Sequence, residues 1–157
     1  MKLNTHIAVG VGVASFLPSL LGCDVLCLGL SIVLGGAVHP LVDGLSHEWR
    51  GGTIRRTPLL HSLEGSLALS VLLTALLSLL RIPLSSLSWA VIFLSIWASL
   101  LSHLLLDSLT PDGVYLMGRN VSLASFRYDE GWLNFIFSLL GLLLFLYSLI
   151  NYLKYFP

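Results

Sequence analysis

The sequence predicts an all-α integral membrane bundle of about five transmembrane helices. Three observations lead there. Of 157 residues, 56% are hydrophobic and only 10% are charged, where a soluble domain carries roughly 25%. Mean hydropathy is +0.92. The apolar residues also fall into five runs near the ~20 residues that a spanning helix needs, at 5–21, 24–42, 62–80, 87–107 and 132–153.

The first run contains Pro18 and stops at Gly22. It has no small-residue cleavage site, so it reads as a retained helix rather than a signal peptide. It and the third run are short, which tilt or partial spanning accommodates. Two connections are brief: residues 22–23, and 81–86 with Pro83. The other two, 43–61 and 108–131, are long, polar loops. No repeat divides the chain, and it reads as one membrane-embedded domain. Cys23 and Cys27 have neither zinc-site nor disulfide spacing and read as small apolar fillers. Zero formal net charge gives no nucleic-acid footprint, and membrane lipid is the expected partner.

Positive residues set the expected orientation in a multi-pass cell membrane. With the N-terminus cytoplasmic, Lys2, Arg50, Arg55, Arg56, Arg119 and Arg127 lie inside, and only Arg81 and Lys154 lie outside. All five histidines then fall on the cytoplasmic side, at helix ends or in the long loops: His6, His39, His47, His61 and His103. Asp43, Glu48, Asp107 and Asp112 fall there too. This sidedness survives inversion of the whole topology, because the residues move together.

Spacing sharpens the pattern. His103 and Asp107 are four apart in SHLLLDSLTPDG, one turn apart on one helical face, and Thr110 to Gly113 read as the helix stop and a turn. An imidazole and a carboxylate so placed can serve one divalent metal. His39, Asp43 and His47 also recur every four residues. They line one stripe if the helix continues past Pro40; if it ends at Gly44, His47 lies in the loop. His61 and Glu64, at i and i+3, can face one site, and a carboxylate within an apolar run usually has a partner. Glu64 or Asp112 is the expected proton acceptor, and Arg55 and Arg56 are the expected clamp for an anionic substrate. Each residue also has a plainer reading: interfacial histidines, topology-setting arginines, and Asp112 as a turn residue. The polar loop after the fourth run is long enough to fold over the site.

Four pieces together resemble a known family: Thr5-His6 opening the first helix, Asp43 with His47 after the second, His61-Ser62 after a basic loop, and His103 to Gly113. They are similar to the LexA-binding, inner-membrane-associated metal-dependent hydrolases and their archaeal relatives of unknown function. The resemblance implies a polar site of His6, Asp43, His47, His61, His103 and Asp107. It also implies a fold related to helical zinc-dependent phospholipases C and P1-type nucleases, and hence phosphoester hydrolysis. Two departures stand out. Asp43-Gly44-Leu45-Ser46-His47 replaces the family's Asp-x-Asp-His, and Arg55 or Arg56 stands where a histidine is expected. His39 is a candidate substitute.

The expected function is therefore a membrane-bound hydrolase that uses a divalent metal, zinc by preference, to activate water against a phospholipid or other amphiphilic phosphoester. A metal-handling transporter is the first alternative; it needs a polar path across the bundle, and the fifth run is nearly featureless. A non-catalytic scaffold that binds a partner through its polar loops is the second.

Overall fold

The computed structural model describes residues 1–45, 47–50 and 53–155; the side chains of residues 47–50, 53–55 and 155 lie outside that description. Five helices form where the apolar runs are: α1 (Leu3–Leu20), α2 (Val25–Leu45), α3 (Leu63–Ser78), α4 (Ser86–Ser108) and α5 (Gly131–Tyr155). All but α3 are long and apolar enough to cross a membrane. The 16-residue α3 is shorter. α2 runs through Pro40 to Leu45, which places His39 and Asp43 one turn apart on it, while His47 lies beyond its end.

Helix ends follow local chemistry. The Ser62 hydroxyl accepts from the Gly65 N–H at 2.9 Å and the Ser85 hydroxyl from the Ser88 N–H at 3.0 Å, so each caps its helix. Gly22, at φ +62°, turns the chain from α1 into α2.

The all-α expectation needs one correction, since each long loop contains a β-hairpin. β1 (His47–Arg50) pairs with β2 (Thr53–Arg56), and β3 (Val114–Leu116) with β4 (Arg119–Val121), both antiparallel. Met117 and Gly118 join β3 to β4 with positive φ at both positions, the backbone of a type I′ turn.

α1 sits at the centre and packs on α2, α4 and α5. A Cβ on Gly12 would lie 2.3 Å from the Gly141 carbonyl oxygen, and one on Gly141 would lie 2.4 Å from that of Ala8. The α1–α5 crossing thus depends on two residues without side chains, as small-residue contacts in membranes do. α2 and α4 run parallel. Hydrogen bonds link Asp24 to Ser88, Gly35 to Ser99 and His39 to His103, each pair 64 residues apart. Their apolar contact includes Cys27, Val38, Val42, Val91, Ile92, Ile96 and Leu100, all buried. The outer faces of α3 and α5 are exposed leucine, isoleucine and phenylalanine, far more apolar surface than a protein in water displays.

Candidate metal centre

Three elements bring four ligand-type atoms together at one end of the bundle. α4 supplies His103 and Asp107, α2 supplies Asp43, and the segment entering α3 supplies His61. The second hairpin fixes His61: the Tyr115 N–H donates to the His61 carbonyl at 2.8 Å, and Ser62 bridges Tyr115 in parallel. His103 Nε2 lies 3.5 Å from Asp43 Oδ1 and 3.2 Å from Asp107 Oδ2. His61 Nε2 lies 3.8 Å and 3.4 Å from the same two oxygens. A tetrahedral zinc shell with ligands at ~2.0–2.1 Å has edges of ~3.3 Å, so these separations suit one ion.

The directions of the atoms agree with that reading. His103 Nε2 and Asp107 Oδ2 are buried and close, yet neither forms a hydrogen bond among the described residues. They lie 3.2 Å apart without meeting hydrogen-bond geometry, as two ligands of one ion would. His61, His103 and Asp107 are buried, and Asp43 is partly open. These His and Asp groups can hold a metal ion. Burial works to keep His61 neutral, but its contacts with Asp107 and Asp43 prevail and raise its pKa above the ordinary value.

Asp107 Oδ1 faces the other way, 2.8 Å from Arg56 Nη2 and 3.1 Å from His6 Nε2. Arg56 Nη1 donates to Thr110 Oγ1 and to the Gly113 carbonyl, so the guanidinium ties the turn after α4 to Asp107. Its Nε is buried without a hydrogen-bond partner among the described residues. The His6 ring stacks on His103, centroids 4.1 Å apart, and the His61 ring centroid lies 5.5 Å from that of His103.

A cavity of about 350 Å³, lined by Met1, His6, Asp43, Arg56, Asp107, Asp112 and Tyr128, opens onto these groups. Asp112 of the expected proton acceptors is therefore at the site. Glu64 is exposed and lines a separate apolar groove with Leu45, Leu59 and Leu72. The reason is local: helix α3 begins at Leu63 with Ser62 as its cap, so His61 is off the helix and the i, i+3 spacing does not aim the two side chains together. The side chains of His47 and Arg55 lie outside the described residues.

Sequence reasoning named His39 but missed Ser99 and Asn134. His39 and Ser99 are fully buried behind His103. Asn134 of α5 accepts from the Thr5 hydroxyl at 2.7 Å and from the Lys2 N–H at 3.0 Å, and donates to the Tyr128 and Glu130 carbonyls. It thereby joins the start of α1 to the loop that carries Tyr128. A lone Asn near the start of an otherwise apolar run was the available signal.

A family model described as "Protein of unknown function (DUF1286)" matches residues 1–106 of the 157. The chain belongs to the DUF1286 family. The DUF1286 match takes in His6, His39, Asp43, His61 and His103 and ends one residue before Asp107. It shows that family and not the LexA-binding hydrolases of the resemblance. Comparison with curated proteins and with solved structures finds no match, so a relation to the helical phospholipases C is not shown.

Proposed function

We propose that this DUF1286 protein is a membrane-embedded, metal-dependent hydrolase of an amphiphilic phosphoester, with Asp43, His61, His103 and Asp107 holding a divalent ion. One observation carries the reading: four ligand atoms lie within 4.8 Å of one another, with His–Asp separations of 3.2–3.8 Å, and two of them are buried without a hydrogen bond among the described residues. A mixed imidazole and carboxylate set suits zinc, whereas calcium and magnesium prefer oxygen ligands alone. Cysteine, the usual ligand of purely structural zinc, is absent from the set. The resemblance to the LexA-binding hydrolases points to the same chemistry, and the excess of positive residues on the same side favours a cytoplasmic site.

When bound, such an ion supplies Lewis acidity, polarising a phosphoester oxygen and acidifying water. The protein's residues then have separate tasks. Asp43, partly open to the cavity, is the ligand nearest to incoming substrate. Asp112 at the rim is placed to accept a proton. Arg56 already spends both terminal nitrogens on Asp107, Thr110 and Gly113, so it holds Asp107 in place and adds positive charge to the wall.

The test is elemental analysis of detergent-purified protein, wild type beside Asp107→Ala and His103→Ala, followed by a lipid and phosphoester panel. One divalent ion per chain, lost in both variants together with turnover, is expected. Bound metal without turnover on any substrate removes the hydrolase reading, and metal uptake into proteoliposomes would replace it with transport. A protein without metal and indifferent to chelators would be a scaffold.

A further inference from the structure

We infer that His39 is a positioning residue: a buried hydrogen-bond file from Gly35 through Ser99 and His39 fixes the His103 tautomer, leaving the Nε2 lone pair towards Asp43, His61 and Asp107. The proton positions follow from donor counting. Ser99 Oγ lies 2.8 Å from the Gly35 carbonyl. A carbonyl only accepts, so the single hydroxyl hydrogen goes there. Ser99 Oγ is also 3.0 Å from His39 Nε2, and having spent its hydrogen it must accept, so Nε2 carries the His39 proton. A neutral imidazole has one N–H. His39 Nδ1 is therefore bare, and it accepts from His103 Nδ1 at 2.9 Å. With its hydrogen on Nδ1, His103 has Nε2 free to ligate.

The surroundings enforce this order. His39, Ser99 and His103 are all 0% exposed, so water cannot substitute for any partner. α1 closes the file by presenting no side chain: a Cβ on Gly10 would lie 1.8 Å from His39 Nε2, 2.6 Å from Ser99 Oγ and 2.8 Å from the Gly35 oxygen. The reverse order, with hydrogen on His39 Nδ1, would place the His103 hydrogen on Nε2, in the middle of the ligand set. Metal-binding histidines are commonly held through their second nitrogen by a carboxylate or carbonyl; here a second imidazole, itself fixed by a serine, has that role. A competing arrangement, in which His6, His39 and His103 bind an ion of their own, would take a His39 ring nitrogen that the file already commits to Ser99 or to His103.

The tautomer assignment does not depend on the proposed function; only its effect on affinity rests on that reading. Nitrogen NMR of ¹⁵N-histidine-labelled, metal-free protein is expected to show hydrogen on His103 Nδ1 and on His39 Nε2. Finding it on His103 Nε2 would overturn the inference even if metal binds. Zinc titration then compares wild type with Ser99→Ala, His39→Leu and His39→Gln. Loss of a supporting partner typically lowers metal affinity 10- to 100-fold, and that loss is expected for Ser99→Ala and His39→Leu. His39→Gln, whose amide offers an acceptor to His103 and a donor to Ser99, is expected to keep the His103 tautomer and most of the affinity. Unchanged tautomer and affinity in Ser99→Ala would refute the file, as would a second ion that disappears in His39→Leu. If His39→Leu fails to fold, the wild-type tautomers and Ser99→Ala still decide the matter.

Discussion

Asp43 and Asp107 make nearly matched contacts on the ligand side, and this permits a differential test of the buried ion pair behind them. Asp43 Oδ1 lies 3.8 Å and 3.5 Å from His61 and His103; Asp107 Oδ2 lies 3.4 Å and 3.2 Å from the same nitrogens. Their ligand oxygens are within 4.8 Å of each other. At an effective dielectric of ~20, two charges at that distance repel by about 3.5 kcal/mol. Asp43→Asn and Asp107→Asn both relieve this repulsion in metal-free protein. Only Asp107→Asn also strands Arg56, whose side chain is 10% exposed beside a carboxylate at 1%. Breaking a buried pair by removing one charge costs about 3–5 kcal/mol. The lost Arg56 pair should thus lower the stability of metal-free Asp107→Asn by about 3–5 kcal/mol relative to Asp43→Asn. Denaturant unfolding in detergent, with chelator present, measures the difference. In the presence of zinc both variants should lose the stabilisation that the ion confers on wild type. Equal stabilities of the two variants without metal would show that Arg56 does not depend on Asp107, and the assignment of Arg56 as its anchor would fail.

Two further outcomes are expected. Gly12→Leu should destabilise the bundle strongly and Gly141→Ala measurably, because α1 and α5 must separate to admit a side chain; thermal unfolding in detergent reads this, and an unchanged melting temperature would rule out the close crossing. The contribution of His61 to the pH dependence of stability should reverse with metal. The raised His61 pKa contributes stability to metal-free protein that is fully present below the unfolded value of ~6.5 and is lost as pH rises through the folded value. Zinc-loaded protein should instead gain stability over that range, since ligation requires neutral imidazoles. Parallel melting curves of wild type and His61→Gln, with and without zinc, isolate that contribution and check its sign.

Much of the helical frame was legible because lipid-facing segments must be apolar for a fixed length. The expected run 87–107 and the observed α4 (Ser86–Ser108) differ by a residue at either end. The hairpins were not legible. Their strands are three or four residues long and lie in polar loops, too short for alternation to register; Gly51-Gly52 between His47–Arg50 and Thr53–Arg56, and Gly118 in the second loop, were the turn signals. At the site, His103 and Asp107 were readable from their spacing on a single helix. His39 was noted for its spacing to Asp43, but its role depends on the pairing of α2 with α4, which no local pattern encodes. Arg56 shows a different limit: a basic residue looks available to substrate until its carboxylate partner, 51 positions away, is placed beside it.

The constant offset of 64 between α2 and α4 bears on the shortest helix. Between the Asp24–Ser88 and His39–His103 contacts lie 15 residues of each helix, or ~22 Å at ~1.5 Å per residue. Because these two helices point the same way, the polypeptide must return over that whole height before α4 can start. It leaves from His61, beside the ligands, and α3 with its 16 residues rises ~24 Å. A helix that looks too brief for a full crossing is thus cut to the one distance that lets its successor begin level with Asp24. Lengthening α3 by even one turn would push α4 out of step with α2 and pull His103 away from His39 and Asp43.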